Sequence, residues 1–313
     1  MSRRLNLLFL VKKFAESMPK HQHKFDMLTA IEQEANVMYW HDNGDIRDIL
    51  THIPERPDFI FHYDIEWHYA FAPDITGLSA VNIPTGCYVL DIHFHPPLRH
   101  EYFDRKGKPD LIFSASKHPF LDVFPTCKSR FRWLPFSVNP AVIRDYGLEK
   151  DIRYSLVGIV NERYPFREAV IEEMDEVEGF RQFQHPGHTV RLYPGMLINE
   201  KYASALNRSQ MSFTCGSFRQ IPVAKFFELP GCRTLMLAEP NDDLEELGFR
   251  DGLHYASCNR NNIRERALHY ANNVEERQRL TDAGYGFIHQ HHSNAVRAKQ
   301  FVAEIESFLL GKS

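Results

Sequence analysis

The segment IPVAKFFELPGC, residues 221–232, holds a lysine and a glutamate three positions apart, Lys225 and Glu228, in a stretch that reads as a helix starting at Pro222. A strand-like MSFTC and a loop, GSFRQ, precede it, and the loop contributes Gly216, Ser217 and Arg219. Free amides at a helix start bind anions, and Lys225 adds a cation one turn in. A diphosphate suits that pair. Glu228 then falls in the last turn, where the helix dipole disfavours a carboxylate. A carboxylate accepts two hydrogen bonds, which suits the paired hydroxyls of a ribose. The plainer reading is an exposed glutamate paired with Lys225, since structural ion pairs are common. Arg167, in a YPFR segment after a strand, is a further phosphate candidate, or an ordinary surface arginine of a helix. A base could stack near Tyr193 or the HPGH turn at 185–188, both weak signals.

A second cluster, DIHFHPP, follows a predicted strand and brings Asp91, His93 and His95 onto one face if the strand continues. A metal centre needs three or four convergent ligands. The chain has no HExxH and no Asp-x-Asp, and the DIE at 64–66 is a poor substitute, so no metal is expected. A general base that takes a proton from a hydroxyl fits better, with Asp91 the first choice and His93 the second. A histidine packed at the sheet edge is the alternative. Trp67 and Tyr69 read as a stacking wall or as loop packing, and the three histidines of YGFIHQHH, residues 285–292, as a solvated linker.

These groups need a scaffold. Near-continuous apolar runs such as LNLLFLV, DFIFHYD and LIFSAS alternate with segments of helical spacing, which implies parallel sheets covered on both faces. The rhythm restarts after NPAVIRDYGLEKD. The expected fold is α/β, with two doubly wound Rossmann-like domains facing a cleft: residues 1–147, residues 148–290, and a C-terminal helix over 291–313 packing back toward the first domain. The net charge of -4 argues against a nucleic-acid partner. Five cysteines without a CxxC argue against a disulfide framework and for a cytoplasmic protein. No apolar run reaches the ~20 residues of a membrane span. Without a GxGxxG or a P-loop, no NAD or ATP chemistry is expected, and no cofactor.

The stretch IPVAKFFELPGCRTLMLAEPNDDLEELGFRDGLHYAS resembles the C-terminal domain of GT-B glycosyltransferases of the group 1-like kind, especially the spore-maturation (CgeB-like) group. The later NVEERQRLTDAGYGFIHQHHSNAVRAKQFV is similar to that family's closing helices. The resemblance implies a metal-independent transferase using a nucleotide-diphosphate sugar, with uridine the base. Its acceptor would be a hydroxyl of a glycan, protein or small molecule. It assigns the donor ribose to Glu228, and the diphosphate to Lys225 and the Gly216–Ser217 loop. Two positions depart from the pattern: Gln220 stands where many such enzymes have a second acid, and bulky Arg233 follows the small pair Gly231-Cys232. A nucleotide-sugar epimerase and a catalytically silent nucleotide-sugar or glycan-binding protein are the competing readings. The sequence leaves stereochemistry and oligomeric state open.

Overall fold

The computed structural model describes residues 3–66, 71–184 and 193–311. The chain divides into two compact units, Met1–Pro135 with Ala295–Ser313, and Phe136–Asn294. The division falls ahead of the boundary expected near residue 148.

The first unit contains β1 (Asn6–Leu10), β2 (Asn36–Trp40), β3 (Gly44–Asp45), β4 (Phe59–His62), β5 (Ile75–Thr76), β6 (Thr85–Val89), β7 (Leu111–Ser114) and β8 (Phe131–Trp133). Six of them form a parallel sheet in the order β2-β1-β4-β6-β7-β8, while β3 and β5 pair separately. Every residue of β1, β4, β6 and β7 is buried, as a parallel sheet covered on both faces requires. The helix Asn294–Gly311 closes this unit. Its Phe301 ring sits 6.0, 4.8 and 4.9 Å from those of Phe9, Phe61 and Phe113. Gln300 Nε2 donates to the Trp133 carbonyl at 2.9 Å.

The second unit contains β9 (Ile152–Val157), β10 (Phe180–Phe183), β11 (Ser209–Thr214), β12 (Leu235–Ala238) and β13 (Ala256–Ser257), all parallel, in the order β10-β9-β11-β12-β13. Alternation along the strands builds two cores. Tyr154, Leu156, Met211, Phe213, Leu235 and Leu237 face the helix Pro165–Met174 through Phe166, Val170 and Met174. Val157, Met236 and Ala238 face the helix Lys225–Gly231 through Phe226, Phe227 and Leu229. In each unit the strand order reverses beside the first strand, at β1/β4 and at β9/β11. Ligands of open α/β sheets bind at such points, beyond the carboxyl ends of the strands.

Three local expectations change. The segment 285–292 is no linker: it ends the helix Val274–His291, because the buried stripe Leu280, Gly284, Ile288 runs on into it. There His289 Nε2 donates to the Gly231 carbonyl at 3.0 Å, and His292 packs on Phe249. β6 stops at Val89, so Asp91, His93 and His95 lie in a turn rather than on a strand. The helix expected from Pro222 starts at Lys225, because positive φ at Ser217 and Gln220 folds the preceding loop back on itself. Trp67, Tyr69, the HPGH turn and most of the strand expected over 189–194 lie outside the described residues.

Candidate active site

In the second unit, two helices on opposite faces of the sheet deliver two cations to the end of the β9/β11 crevice. Arg167 comes from the first of them. Its guanidinium lies 3.8 Å from the Tyr164 ring centroid, and Nη1 donates to the Ile159 carbonyl at 2.9 Å. The approach needs Gly158, which has φ +146°, since a Cβ there would stand 2.6 Å from Nη1. Arg167 is only 3% exposed, yet no carboxylate pairs with it among the described residues, and its Nε is buried without a hydrogen-bond partner. A buried cation without a partner is costly, so this one points to an anion supplied from outside the chain.

Lys225 begins the short helix on the other face. No hydrogen bond or ion pair engages its amine among the described residues. Burial pushes its pKa down to about 8, the charge of Arg167 pushes the same way, and Glu228 opposes both. Two cations near enough to repel each other, neither in an ion pair with an acid among the described residues, are suited to a doubly charged anion. The Cys215 thiol, pushed up by burial, feels Arg167 as well. Next to it the loop closes tightly: Ile221 N donates to the Gly216 carbonyl at 2.6 Å, and a Cβ on Gly216 would meet the Gln220 backbone at 2.7 and 2.8 Å.

Glu228 lies in the first turn of the seven-residue helix, not the last, since the helix runs on through Pro230 to Gly231. The dipole penalty expected from the sequence is therefore absent. Nor is Glu228 an exposed partner of Lys225: it is 8% exposed and makes no ion pair among the described residues. Its Oε2 accepts a hydrogen bond from Tyr202 at 2.7 Å, and its Oε1 takes none among the described residues. Burial pushes the carboxyl up, while Lys225 and the Tyr202 hydrogen bond hold it down. Tyr202, on the helix Asn199–Asn207, is a partner the sequence did not reveal.

The remaining positions are less convergent. The Ser217 hydroxyl accepts from the Arg219 amide at 3.3 Å within its own loop. Arg219 is exposed and stacks on Phe218. Tyr193 is 43% exposed, and no contact among the described residues joins it to Arg167, Lys225 or Glu228. Arg233 is tied to Asp145 and Asp282 at 2.9 and 2.7 Å, so its bulk is committed to an ion-pair clamp. Gly231 is small because a Cβ there would lie 2.7 Å from Ile143.

In the first unit, His93 Nδ1 lies 2.6 Å from Asp91 Oδ1, but the two are not aligned for a hydrogen bond, and that ring nitrogen is buried without a hydrogen-bond partner among the described residues. Beneath this pair is a buried group that the sequence reading passed over. Arg99, fully buried, donates from Nη1 to the Asp91 carbonyl and from Nε to the Ile65 carbonyl, and its Nη2 stands 3.9 Å from Asp64. Asp64 follows β4 at φ 47° and accepts from the Leu90 amide at 3.2 Å. Among the described residues no group of three or more His, Cys, Asp and Glu converges as a metal site.

Burial pushes Asp64 up to about 6 despite Arg99 and Lys24, from an ordinary 3.8. The folded chain therefore holds this proton more tightly than the unfolded chain. The stability it contributes is full below pH 4 and lost as pH rises through 6. We expect the wild type to lose on the order of 2 kcal/mol between pH 4 and 7 relative to Asp64→Asn. Denaturant titrations of both proteins across that range check it; parallel curves would mean Asp64 stays ionised throughout.

Residues 156–303 match the family described as glycosyl transferase-like. No curated protein matches. Among solved structures, sucrose-phosphate synthase from Thermosynechococcus elongatus is similar at TM-score 0.66 and 10% identity, over 99% of this chain and 100% of that one. HepE of Anabaena in complex with UDP and glucose is similar at TM-score 0.63 and 9% identity, over 97% and 100%. The chain has the GT-B glycosyltransferase fold. A putative UDP-N-acetylglucosamine 2-epimerase from Listeria monocytogenes is similar at TM-score 0.51 and 14% identity, over 99% and 98%. This GT-B chain has no helix, among the described residues, long and apolar enough to cross a membrane.

Proposed function

We propose that this GT-B chain transfers a sugar from a nucleoside-diphosphate donor, with uridine the base, to a hydroxyl of a glycan, protein or small-molecule acceptor, without a metal. The observation that carries the reading is the pair of cations, Arg167 and Lys225, at the β9/β11 crevice, neither in an ion pair among the described residues, beside the half-satisfied Glu228. A diphosphate neutralises the cations, and a ribose hydroxyl fills the free Oε1 of Glu228. UDP in the HepE complex supports uridine as the base.

In the reaction the bond between the anomeric carbon and the diphosphate oxygen breaks, and the electron pair leaves with the diphosphate. Arg167 and Lys225, already in place, stabilise that charge. The acceptor oxygen bonds to the anomeric carbon, and for an inverting enzyme its proton passes to the Asp91–His93 pair. The Listeria likeness favours one alternative, an epimerase that turns over the donor without an acceptor.

Titration calorimetry with UDP tests the site. Glu228→Ala is expected to weaken UDP about tenfold to a hundredfold, the worth of a hydrogen bond to a charged group. Asp91→Asn is expected to keep UDP affinity and slow turnover by about 10² to 10⁴. UDP bound equally well by wild type and Glu228→Ala would remove the assignment of the ribose.

A further inference from the structure

Glu239 is a carboxylate the donor site has not yet used. It follows Ala238, the last residue of β12, which stands in register with Thr214 of β11 on one side and Ser257 of β13 on the other. The next residues in register are therefore Cys215 and Cys258, and both belong to the core that faces the helix carrying Arg167. Glu239 thus stands at the carboxyl edge of the sheet, near the end of the same crevice.

Its surroundings are unusual for an acid. It is half-buried, and no hydrogen bond or ion pair engages it among the described residues. Burial pushes its carboxyl up, with only the exposed Arg260 pulling the other way. Its charge reaches the Cys215 thiol, which also feels Arg167. Yet neither Arg167 nor Lys225 folds onto it. A carboxylate left unpaired beside a cradle for a diphosphate repels that diphosphate. It is tolerable where another part of the same ligand supplies hydrogen-bond donors. A nucleotide sugar has such a part next to its diphosphate. Gln220, by contrast, is exposed and held at φ 55°.

We infer that Glu239 reads the donor sugar: its carboxylate accepts hydrogen bonds from hydroxyls of the hexose carried on the diphosphate, and so determines which sugar is taken. The inference rests on the nucleotide-sugar reading above and adds a residue and a role to it. Donors keeping the hydroxyls that Glu239 engages gain affinity from it, and donors lacking them are left with an unpaired carboxylate.

The test is calorimetry of UDP, UDP-glucose, UDP-galactose and UDP-N-acetylglucosamine with wild type, Glu239→Gln, Glu239→Ala and Glu239→Asp. The wild type is expected to bind at least one of these sugars more tightly than UDP. In Glu239→Gln and Glu239→Ala that preference should fall tenfold or more, while UDP alone binds as well or better, because a repelling charge has gone. Glu239→Asp should recover part of the preference. A preference untouched by the substitutions, a wild type that gains nothing from any of the sugars, or an equal loss for UDP and its sugars would each overturn the role of Glu239. A wild type that binds no UDP overturns the nucleotide-sugar reading beneath it.

Discussion

Arg167→Met should lose UDP affinity by two orders of magnitude or more while the ligand-free protein melts no lower than the wild type. The two halves of this expectation come from one fact, a guanidinium 3% exposed with no acidic partner among the described residues. Enclosing a charge without neutralising it costs stability. Lys225 adds repulsion. Methionine keeps much of the packing volume and removes both terms, offset by the lost hydrogen bond to Ile159 and the stacking on Tyr164. The bound diphosphate, however, loses a fork of charge-assisted hydrogen bonds, each worth about 1.5–3 kcal/mol. Arg233→Ala is the contrast. Arg233 is clamped by Asp145 and Asp282, so its loss should lower the melting temperature and leave UDP affinity alone. Thermal melts with and without UDP separate the cases. An Arg167→Met protein that is less stable and binds UDP normally would make Arg167 a structural arginine.

The fold was legible because its signal is local. Buried strands such as β1 and β7 are runs of apolar residues, and the restart of the rhythm before β9 marked a second sheet. β10, with its exposed Arg181 and Gln182, carries no such run and went unread. Within the site, Lys225 and Glu228 were readable as neighbours on one helix. Their meaning was not, because it depends on the charges they lack. That Glu228 is buried, and that no acid among the described residues pairs with Arg167, are properties of contacts spread from Gly158 to Tyr202 to Cys215. Tyr202 sits 26 positions from Glu228 and looks like any aromatic in an amphipathic helix. Arg99 reads as a surface arginine among PPLRHE, and only the folded turn reveals that it is enclosed by Asp64 and two carbonyls. The signal that could have found Asp64 and Glu239 is positional: each follows a buried strand at its carboxyl end, where open α/β sheets hold ligands.

The second large effect is one of pH. UDP affinity should fall as pH rises above 8, by roughly tenfold per pH unit, and this slope should vanish in Lys225→Met and Lys225→Arg. In the free protein, burial and the Arg167 charge bring Lys225 down to about 8. A bound diphosphate places negative charge beside the amine and raises its pKa again. The complex therefore holds a proton that the free protein has lost above pH 8, and binding there must take one up. Below pH 8 both states are protonated and the dependence disappears. Arginine keeps its charge throughout, so Lys225→Arg should bind UDP with a flat profile and match the wild type best at pH 7. Lys225→Met should be flat and weak. Both variants carry any titration of the nucleotide itself, so the difference from wild type isolates the lysine. Calorimetry at pH 9 in two buffers of different ionisation heat counts the proton directly: about one taken up by the wild type, none by either variant. An equal slope in all three proteins would place the diphosphate away from Lys225, and with it the anion site assigned to the end of β9 and β11.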